Sequence, residues 1–254
     1  MASLDLSKLK LAHLVGSRYK KRLSKLVSSG KEVKHIESVV ETAYQNIKSG
    51  AKSFVIYGEP QSGKTEMMIA LTARLLDEGS KIIIILLNDS VQLLGQNLER
   101  FQRSGIAPTP RKFSEILPPE IKIDNHELVV FCKKNAKDLQ KLIDKLGKYG
   151  SRVIIDDEAD YATPNSKVNK REQSRINELT ATLIGSDGIY IGVTATPGRL
   201  DLNRTHKNIN EHWIDYPPHP KVALNYISGP RHRSERNPFV PCNLNAADNQ
   251  SSVH

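Results

Sequence analysis

Short apolar runs alternate along this chain with amphipathic stretches. The apolar runs cover residues 53–57, 81–87, 127–132, 152–156 and 189–194. The stretches that read as helices cover residues 64–78, 91–103 and 136–146. Because each crossover between parallel strands lays a helix on the sheet, this order predicts an α/β fold with a doubly wound parallel sheet and helices on both faces.

The two ends of the chain differ from this central pattern. Residues 4–28 read as a basic helix, and a second amphipathic helix ends at Ser49 and Gly50. After Gly198 the periodicity fades, and from Ser228 the composition is that of a flexible, poorly structured tail. We therefore expect a basic helical segment over 1–49, an α/β lobe over 50–200, and an extension with a tail over 201–254.

Basic residues exceed acidic ones, and the formal net charge is +9. Such an excess favours a polyanionic partner, although the basic N-terminal residues also fit an ordinary solvated helix face. The longest apolar run, Ile82 to Leu87, is far shorter than the roughly 20 residues that cross a bilayer. The expected setting is cytoplasmic, without a membrane.

The loop between the first strand and the next helix fits a phosphate-binding motif. The residues that match G-x-x-x-x-G-K-[ST] are Gly58, Glu59, Pro60, Gln61, Ser62, Gly63, Lys64 and Thr65. In such a P-loop the backbone N–H groups turn toward the phosphates, the lysine bridges β- and γ-phosphates, and the threonine hydroxyl ligates magnesium. The expected cofactors are ATP and Mg²⁺.

A second part of this site is predicted at the end of the buried run 152–156. Asp157 is expected to hold magnesium, and Glu158 is expected to polarise the attacking water, with Lys64 as the other catalytic group. Asp156 competes for the metal role, but neighbouring strand residues face opposite sides of a sheet. We therefore expect the Asp156 carboxylate to point away from the site.

Two further motifs carry a resemblance to a known superfamily. The sequence Asp157-Glu158-Ala159-Asp160, together with Thr194-Ala195-Thr196-Pro197, resembles the first RecA-like lobe of superfamily 2 helicases and translocases. The resemblance covers about residues 50 to 200. It implies that Thr194 and Thr196 couple the nucleotide state to the grip on nucleic acid.

A closer resemblance is to the Z1-domain ATPases found with restriction–modification systems. The segments that carry it are 61–65, 86–88 with Gln96, 133–135, 155–160, 174–177 and 192–197. The chain departs from that family at Gly198-Arg199-Leu200, where an aromatic residue is usual. The resemblance implies a motor lobe that acts in DNA restriction or repair.

In the resembling families the nucleic acid lies at the carboxyl ends of the strands, opposite the nucleotide. Those positions are here Asn88, Lys133, Lys134 and Asn135. Contacts of this kind track a backbone and carry no base sequence. The partner expected from the resemblance is nucleic acid; the link to restriction favours DNA, and the sequence leaves RNA as the alternative.

The resemblance also implies a missing part. Superfamily 2 enzymes hydrolyse ATP between two lobes, and the second lobe supplies an arginine finger. No stretch of this sequence reads as that lobe, so we expect a second lobe or partner subunit and slow turnover by the chain alone; Arg199 is the nearest in-chain cation. The alternatives are a P-loop regulatory ATPase that acts on protein partners, and a truncated fragment that only binds ATP.

Overall fold

A computed structural model describes residues 18–123, 126–147, 149–160, 170–195 and 212–216. Two helices come first, and a P-loop-like strand–helix unit follows them. The first three helices and the first strand are α1 (Arg18–Ser28), α2 (Lys34–Lys48), β1 (Ser53–Gly58) and α3 (Lys64–Asp77). The next elements are β2 (Ile82–Leu87), α4 (Val91–Ser104), β3 (Arg111–Lys112) and α5 (Phe113–Ile116). The remaining elements are β4 (Leu128–Lys133), α6 (Ala136–Leu146), β5 (Arg152–Asp157), α7 (Lys170–Ile184), β6 (Ile189–Thr194) and β7 (His212–Tyr216).

Within the described residues one sheet joins seven strands in the order β3-β4-β2-β5-β6-β1-β7. Every neighbouring pair runs parallel. The carboxyl ends of all seven strands therefore lie at one edge of the sheet. The register aligns Tyr57 with Thr194, Asp157 with Val193, and Leu86 with Asp156, which brings the ends of the four central strands to the same level.

The sheet separates two hydrophobic cores. Ile83, Ile85, Val153 and Ile155 pack on the face that α1 to α4 cover. Their strand neighbours, such as Ile84 and Ile154, pack on the opposite face with residues of α6 and α7. Strand alternation thus divides the apolar runs between two helical layers. The predicted doubly wound parallel α/β fold is confirmed.

The structure adds elements that the sequence pattern did not predict. Strand β3 has two residues and lies at the sheet edge, and helix α7 follows β5. More consequential is β7, which pairs with β1 and lies inside the predicted extension 201–254. A five-residue strand that is paired on only one side has too few alternating positions to give a periodic signal. The predicted tail from Ser228 and the predicted helix before Arg18 lie outside the described residues.

Helix α1 docks on the lobe through its basic side chains. Arg22 forms an ion pair with Glu66 in the first turn of α3, and Lys31 lies 3.0 Å from the same carboxylate. Arg18 pairs with Glu127 at 2.5 Å, and Lys25 donates to the carbonyl of Arg103 at 3.1 Å. Much of the positive charge described in this segment therefore serves intramolecular docking.

None of the helices in the described part of the chain combines the length and the apolar character that a transmembrane span requires.

Candidate functional site

The P-loop connects β1 to α3 at the carboxyl edge of the sheet. Gln61 and Gly63 adopt left-handed backbone angles, with φ of 62° and 85°. Gly58 lies where a Cβ would be 3.0 Å from the Ser62 hydroxyl and from the Tyr216 ring, so a larger residue would require these neighbours to shift. The Lys64 amine donates to the carbonyls of Gly58 at 3.0 Å and Glu59 at 2.8 Å. The loop therefore wraps closely around its own lysine.

This arrangement fits a triphosphate. A nest of N–H groups formed by left-handed residues, followed by a helix N-terminus, attracts anions. Burial lowers the pKa of Lys64, and the charges of Asp157, Glu158 and Asp160 act in the opposite direction. Within the described residues no three His, Cys, Asp or Glu side chains converge as a metal site. A magnesium ion at Thr65 and Asp157 would thus depend on phosphate oxygens for the rest of its ligands, as magnesium in nucleotide enzymes usually does.

Tyr216 on β7 is a residue of this site that sequence reasoning missed. It aligns with Gly58 in the register, is 6% exposed, and lies with its hydroxyl 3.5 Å from the position that a Cβ of Gly63 would occupy. Burial raises its pKa to about 12. The tyrosine therefore closes one side of the P-loop. Only the pairing of β7 with β1 reveals that Tyr216 lies beside the P-loop. In the sequence Tyr216 is 151 residues from Thr65 and belongs to no recognisable motif.

The two acidic residues after β5 take different positions. Asp157 continues the alternation of Val153 and Ile155 and so faces the layer that contains α3. Burial, followed by the neighbouring charge of Glu158, raises the pKa of Asp157 to about 6. Glu158 has a left-handed φ of 55°, and the next residue, Ala159, donates its N–H to the Val193 carbonyl at 3.0 Å. This tight return leaves the Glu158 side chain exposed.

Asp156 points to the opposite face, as the alternation predicts. Its carboxylate is 2.7 Å from the Lys134 amine and accepts a hydrogen bond from the Tyr190 hydroxyl at 2.8 Å. Lys134, which is 3% exposed, also donates to the carbonyls of Asp157 and Glu158 at 3.1 and 2.7 Å. The prediction that Lys134 contacts nucleic acid is therefore wrong. It is a buried cation that holds the acidic turn in place.

A polar contact joins this turn to the end of β6. The Thr194 hydroxyl donates to the Asp160 carboxylate at 2.8 Å, and both side chains are buried. Thr194 is therefore placed to report on the acidic turn. Its predicted coupling partner, Thr196, lies outside the described residues, as does Arg199.

Helix α4 borders the site with two polar side chains, Asn97 and Arg100, which were not predicted to lie there. The Thr65 hydroxyl donates to Asn97 at 3.4 Å, and the Arg100 guanidinium donates to that hydroxyl at 3.5 Å. Asn88, at the end of β2, lines a cavity together with Asn97, Asp157 and Glu158. Asn88 was predicted to contact nucleic acid on the side opposite the nucleotide. In the structure it lines a cavity beside the Asp157 and Glu158 carboxylates, and its contact with nucleic acid stays a prediction.

The remaining predicted nucleic-acid residues lie after β4. Lys133 is 2.8 Å from Asp89 and 3.6 Å from Asp138. The Asn135 side chain caps α6 by accepting the N–H of Asp138 at 2.9 Å and donates to Asp89 at 2.9 Å. These contacts order the two loops at this edge. They leave the predicted role of Lys133 and Asn135 in nucleic-acid binding untested.

Comparison with known proteins agrees with this geometry. The profile of the family described as type III restriction enzyme, res subunit, matches residues 31–199. The chain belongs to this family. Among curated proteins no match is found.

The res-subunit family places the chain among superfamily 2 helicase-like domains, so the predicted first RecA-like lobe is confirmed. The fold is similar to a DUF1998 helicase MrfA bound to DNA, with a TM-score of 0.54, 16% identity, and coverage of 80% of this chain and 30% of that one. It is also similar to the ATP-dependent type ISP restriction–modification enzyme LlaBIII bound to DNA, with a TM-score of 0.52, 19% identity, and coverage of 66% and 13%. The chain thus spans less than a third of either protein. The closer Z1 resemblance stays a prediction.

The buried pair of Lys134 and Asp156 gives a prediction about stability. Replacing Lys134 with alanine leaves a buried carboxylate unpaired, and we expect a loss of about 3–5 kcal/mol in the free energy of unfolding. Lys133→Ala, at the neighbouring and more exposed position, is the matched control and should lose about 1 kcal/mol or less. Urea denaturation of both variants measures the difference. Equal losses would contradict the structural role of Lys134.

The raised pKa of Asp157 gives a prediction about pH. Because its folded-state pKa of about 6 exceeds the ordinary value of 3.8, the group favours folding below pH 4, and this contribution is lost as the pH rises through 6. Asp157→Asn should therefore stabilise the nucleotide-free protein at pH 8 by about 1–3 kcal/mol. The gain should fade at pH 4. Thermal unfolding at both pH values tests this, and a pH-independent effect would contradict it.

Proposed function

We propose that this chain is the ATP-binding and ATP-hydrolysing motor lobe of a DNA-dependent helicase or translocase that serves DNA restriction. The observation that carries the proposal is the convergence of a P-loop with left-handed Gln61 and Gly63, the Asp157–Glu158 turn, and the Thr194–Asp160 hydrogen bond at one edge of the sheet. A phosphate cradle, a metal carboxylate and a base are the parts that phosphoryl transfer to water requires.

Each residue has a distinct task in this proposal. The N–H groups of the loop and the Lys64 ammonium hold the phosphate oxygens, while the Thr65 hydroxyl and Asp157 would hold magnesium. Magnesium bound there would neutralise phosphate charge. Glu158, exposed at the end of the turn, is placed to accept a proton from the attacking water. Thr194, held by Asp160, would sense the state of this turn, with Thr196 as its partner.

Support for DNA as the nucleic acid comes from the family and from charge. The two structural neighbours are described as bound to DNA, and the chain has a net charge of +9. Lys133 and Asn135, at the carboxyl edge of the sheet, are the remaining candidates for contacts to a DNA backbone.

The proposal includes a second lobe or partner subunit. The chain spans only 30% and 13% of the two structural neighbours, and the developing charge on the transferred phosphoryl group requires a cation from outside the P-loop. Among the described residues, Arg100 is a cation near Thr65, the threonine that we propose as a magnesium ligand. Its guanidinium lies 3.5 Å from the Thr65 hydroxyl. It is exposed on α4, so we expect a partner's arginine to supply most of the acceleration.

The nucleotide site is tested by two substitutions with opposite effects. Lys64→Ala removes the ammonium from the cradle and should weaken binding of a fluorescent ATP analogue at least tenfold, or about 1.4 kcal/mol. Glu158→Gln should keep ATP affinity while lowering single-turnover hydrolysis about 100-fold or more. Lys48→Ala, an exposed lysine on α2, is the control and should match the parent in both assays. Unchanged ATP affinity in Lys64→Ala would remove the basis of the proposal.

DNA binding is tested by its dependence on salt. If about four backbone phosphates of a single strand are neutralised, the slope of log K against log salt should be near −3. Lys133→Ala should make this slope less steep by roughly 0.7, whereas Lys48→Ala should leave it unchanged. Affinity that ignores salt, or depends strongly on base sequence, would argue against a backbone-tracking surface.

A further inference from the structure

The cavity beside the acidic turn is lined by a residue whose amide oxygen lacks a hydrogen-bond partner among the described residues. Leu87, Asn88, Leu93, Asn97, Asp157 and Glu158 line this cavity. The Asn88 amide oxygen is buried and has no hydrogen-bond partner within the described residues. A buried acceptor left unpaired costs about 1–3 kcal/mol, so such an atom calls for a ligand or an ordered water.

The other groups of the cavity narrow the choice of donor. The Asn97 amide is already engaged, since it donates to the Leu93 carbonyl at 3.1 Å and accepts from the Thr65 hydroxyl at 3.4 Å. Leu87 and Leu93 have no polar side-chain atoms, and ionised Asp157 and Glu158 can only accept. The Asn97 amide has a second N–H, but no described residue donates to the Asn88 amide oxygen. We therefore assign its donor to a molecule that enters the cavity. Water is the smallest donor that also satisfies a neighbouring carboxylate.

We propose that Asn88 and Glu158 together hold the water that attacks the terminal phosphate, an inference that rests on the proposed function. A water that donates one hydrogen to each of these acceptors turns its lone pairs away from both. Glu158 then takes one proton as the water oxygen bonds to the terminal phosphorus and the bond from that phosphorus to the bridging oxygen of ADP breaks. The second hydrogen stays on the attacking oxygen, where it is hydrogen-bonded to the Asn88 amide oxygen, and leaves as part of the inorganic phosphate.

The position of Asn88 follows from the sheet. It comes directly after β2, and β2 is the neighbour of β5, which ends at Asp157. The residue after one strand thus lies beside the residues that end the other. The predicted contact between Asn88 and DNA would require an exposed amide, whereas the Asn88 amide oxygen is buried and the residue lines the cavity.

The experiment compares ground-state and transition-state ligands. Asn88→Ala should leave the Kd for magnesium–ADP within about twofold of the parent. It should weaken the ADP–aluminium fluoride complex with magnesium about tenfold, the effect of losing one hydrogen bond of about 1.4 kcal/mol. The rate constant of single-turnover hydrolysis should fall by the same factor, and the ATP concentration that gives half of the maximal rate should stay unchanged. Asn88→Ser, which keeps a shorter acceptor, should recover part of the loss.

Two controls make the outcome decisive. Asn46→Ala makes the same chemical change on α2 and should match the parent throughout. If Asn88→Ala instead weakens single-stranded DNA binding and leaves the aluminium fluoride complex unchanged, the inference is overturned. If the parent itself neither binds nor hydrolyses ATP, the proposed function and the inference fall together. A parent that does both, with an indistinguishable Asn88→Ala, overturns the inference alone.

Discussion

The site depends on the alternation of side chains at the end of one buried strand. Strand β5 ends in two adjacent carboxylates, and the pleat sends them to opposite faces of the sheet. Asp156 enters the layer formed with α6 and α7, where the Lys134 amine and the Tyr190 hydroxyl compensate its charge. Asp157 enters the layer that contains the P-loop helix. One strand end thereby provides both a buried anchor and the carboxylate that we propose as a metal ligand.

Lys134 connects these two functions electrostatically. Its amine reaches the Asp156 carboxylate and also the backbone carbonyls of Asp157 and Glu158. The buried Lys134 amine stabilises the turn through the carbonyls of Asp157 and Glu158. The left-handed conformation of Glu158 therefore does not depend on a contact of the Glu158 side chain. The raised pKa of Asp157 has the opposite origin, since burial and the Glu158 charge outweigh the attraction of Lys134 and Lys64. The Lys134 charge thus holds the acidic turn in place, whereas burial and the Glu158 charge raise the pKa of Asp157.

Sequence reasoning succeeded where the signal is local. The P-loop, most of the order of strands and helices in the lobe, and the orientation of Asp156 toward the opposite face of the sheet all follow from motifs and from two- or four-residue periodicity. It failed where placement depends on which strands become neighbours. Lys134 reads as a loop lysine until the sheet order puts β4, β2 and β5 side by side, and Asn88 reads as a nucleic-acid contact until β2 lies beside β5. Tyr216 was missed because one-sided pairing with β1 leaves no periodic trace.

The position of β7 has a practical consequence for anyone who shortens this protein. A version that ends at residue 200, where the sequence pattern fades, would lose the ring that shields Gly58 and Gly63. The edge of β1 would also be opened to solvent and to self-association, because an unpaired strand edge is a template for another chain. Engineered lobes and nucleotide sensors built from this fold should therefore extend at least through Tyr216. The same pairing makes strand β7 itself a direct mechanical connection to the phosphate loop, because Tyr216 lies beside Gly58 in the register.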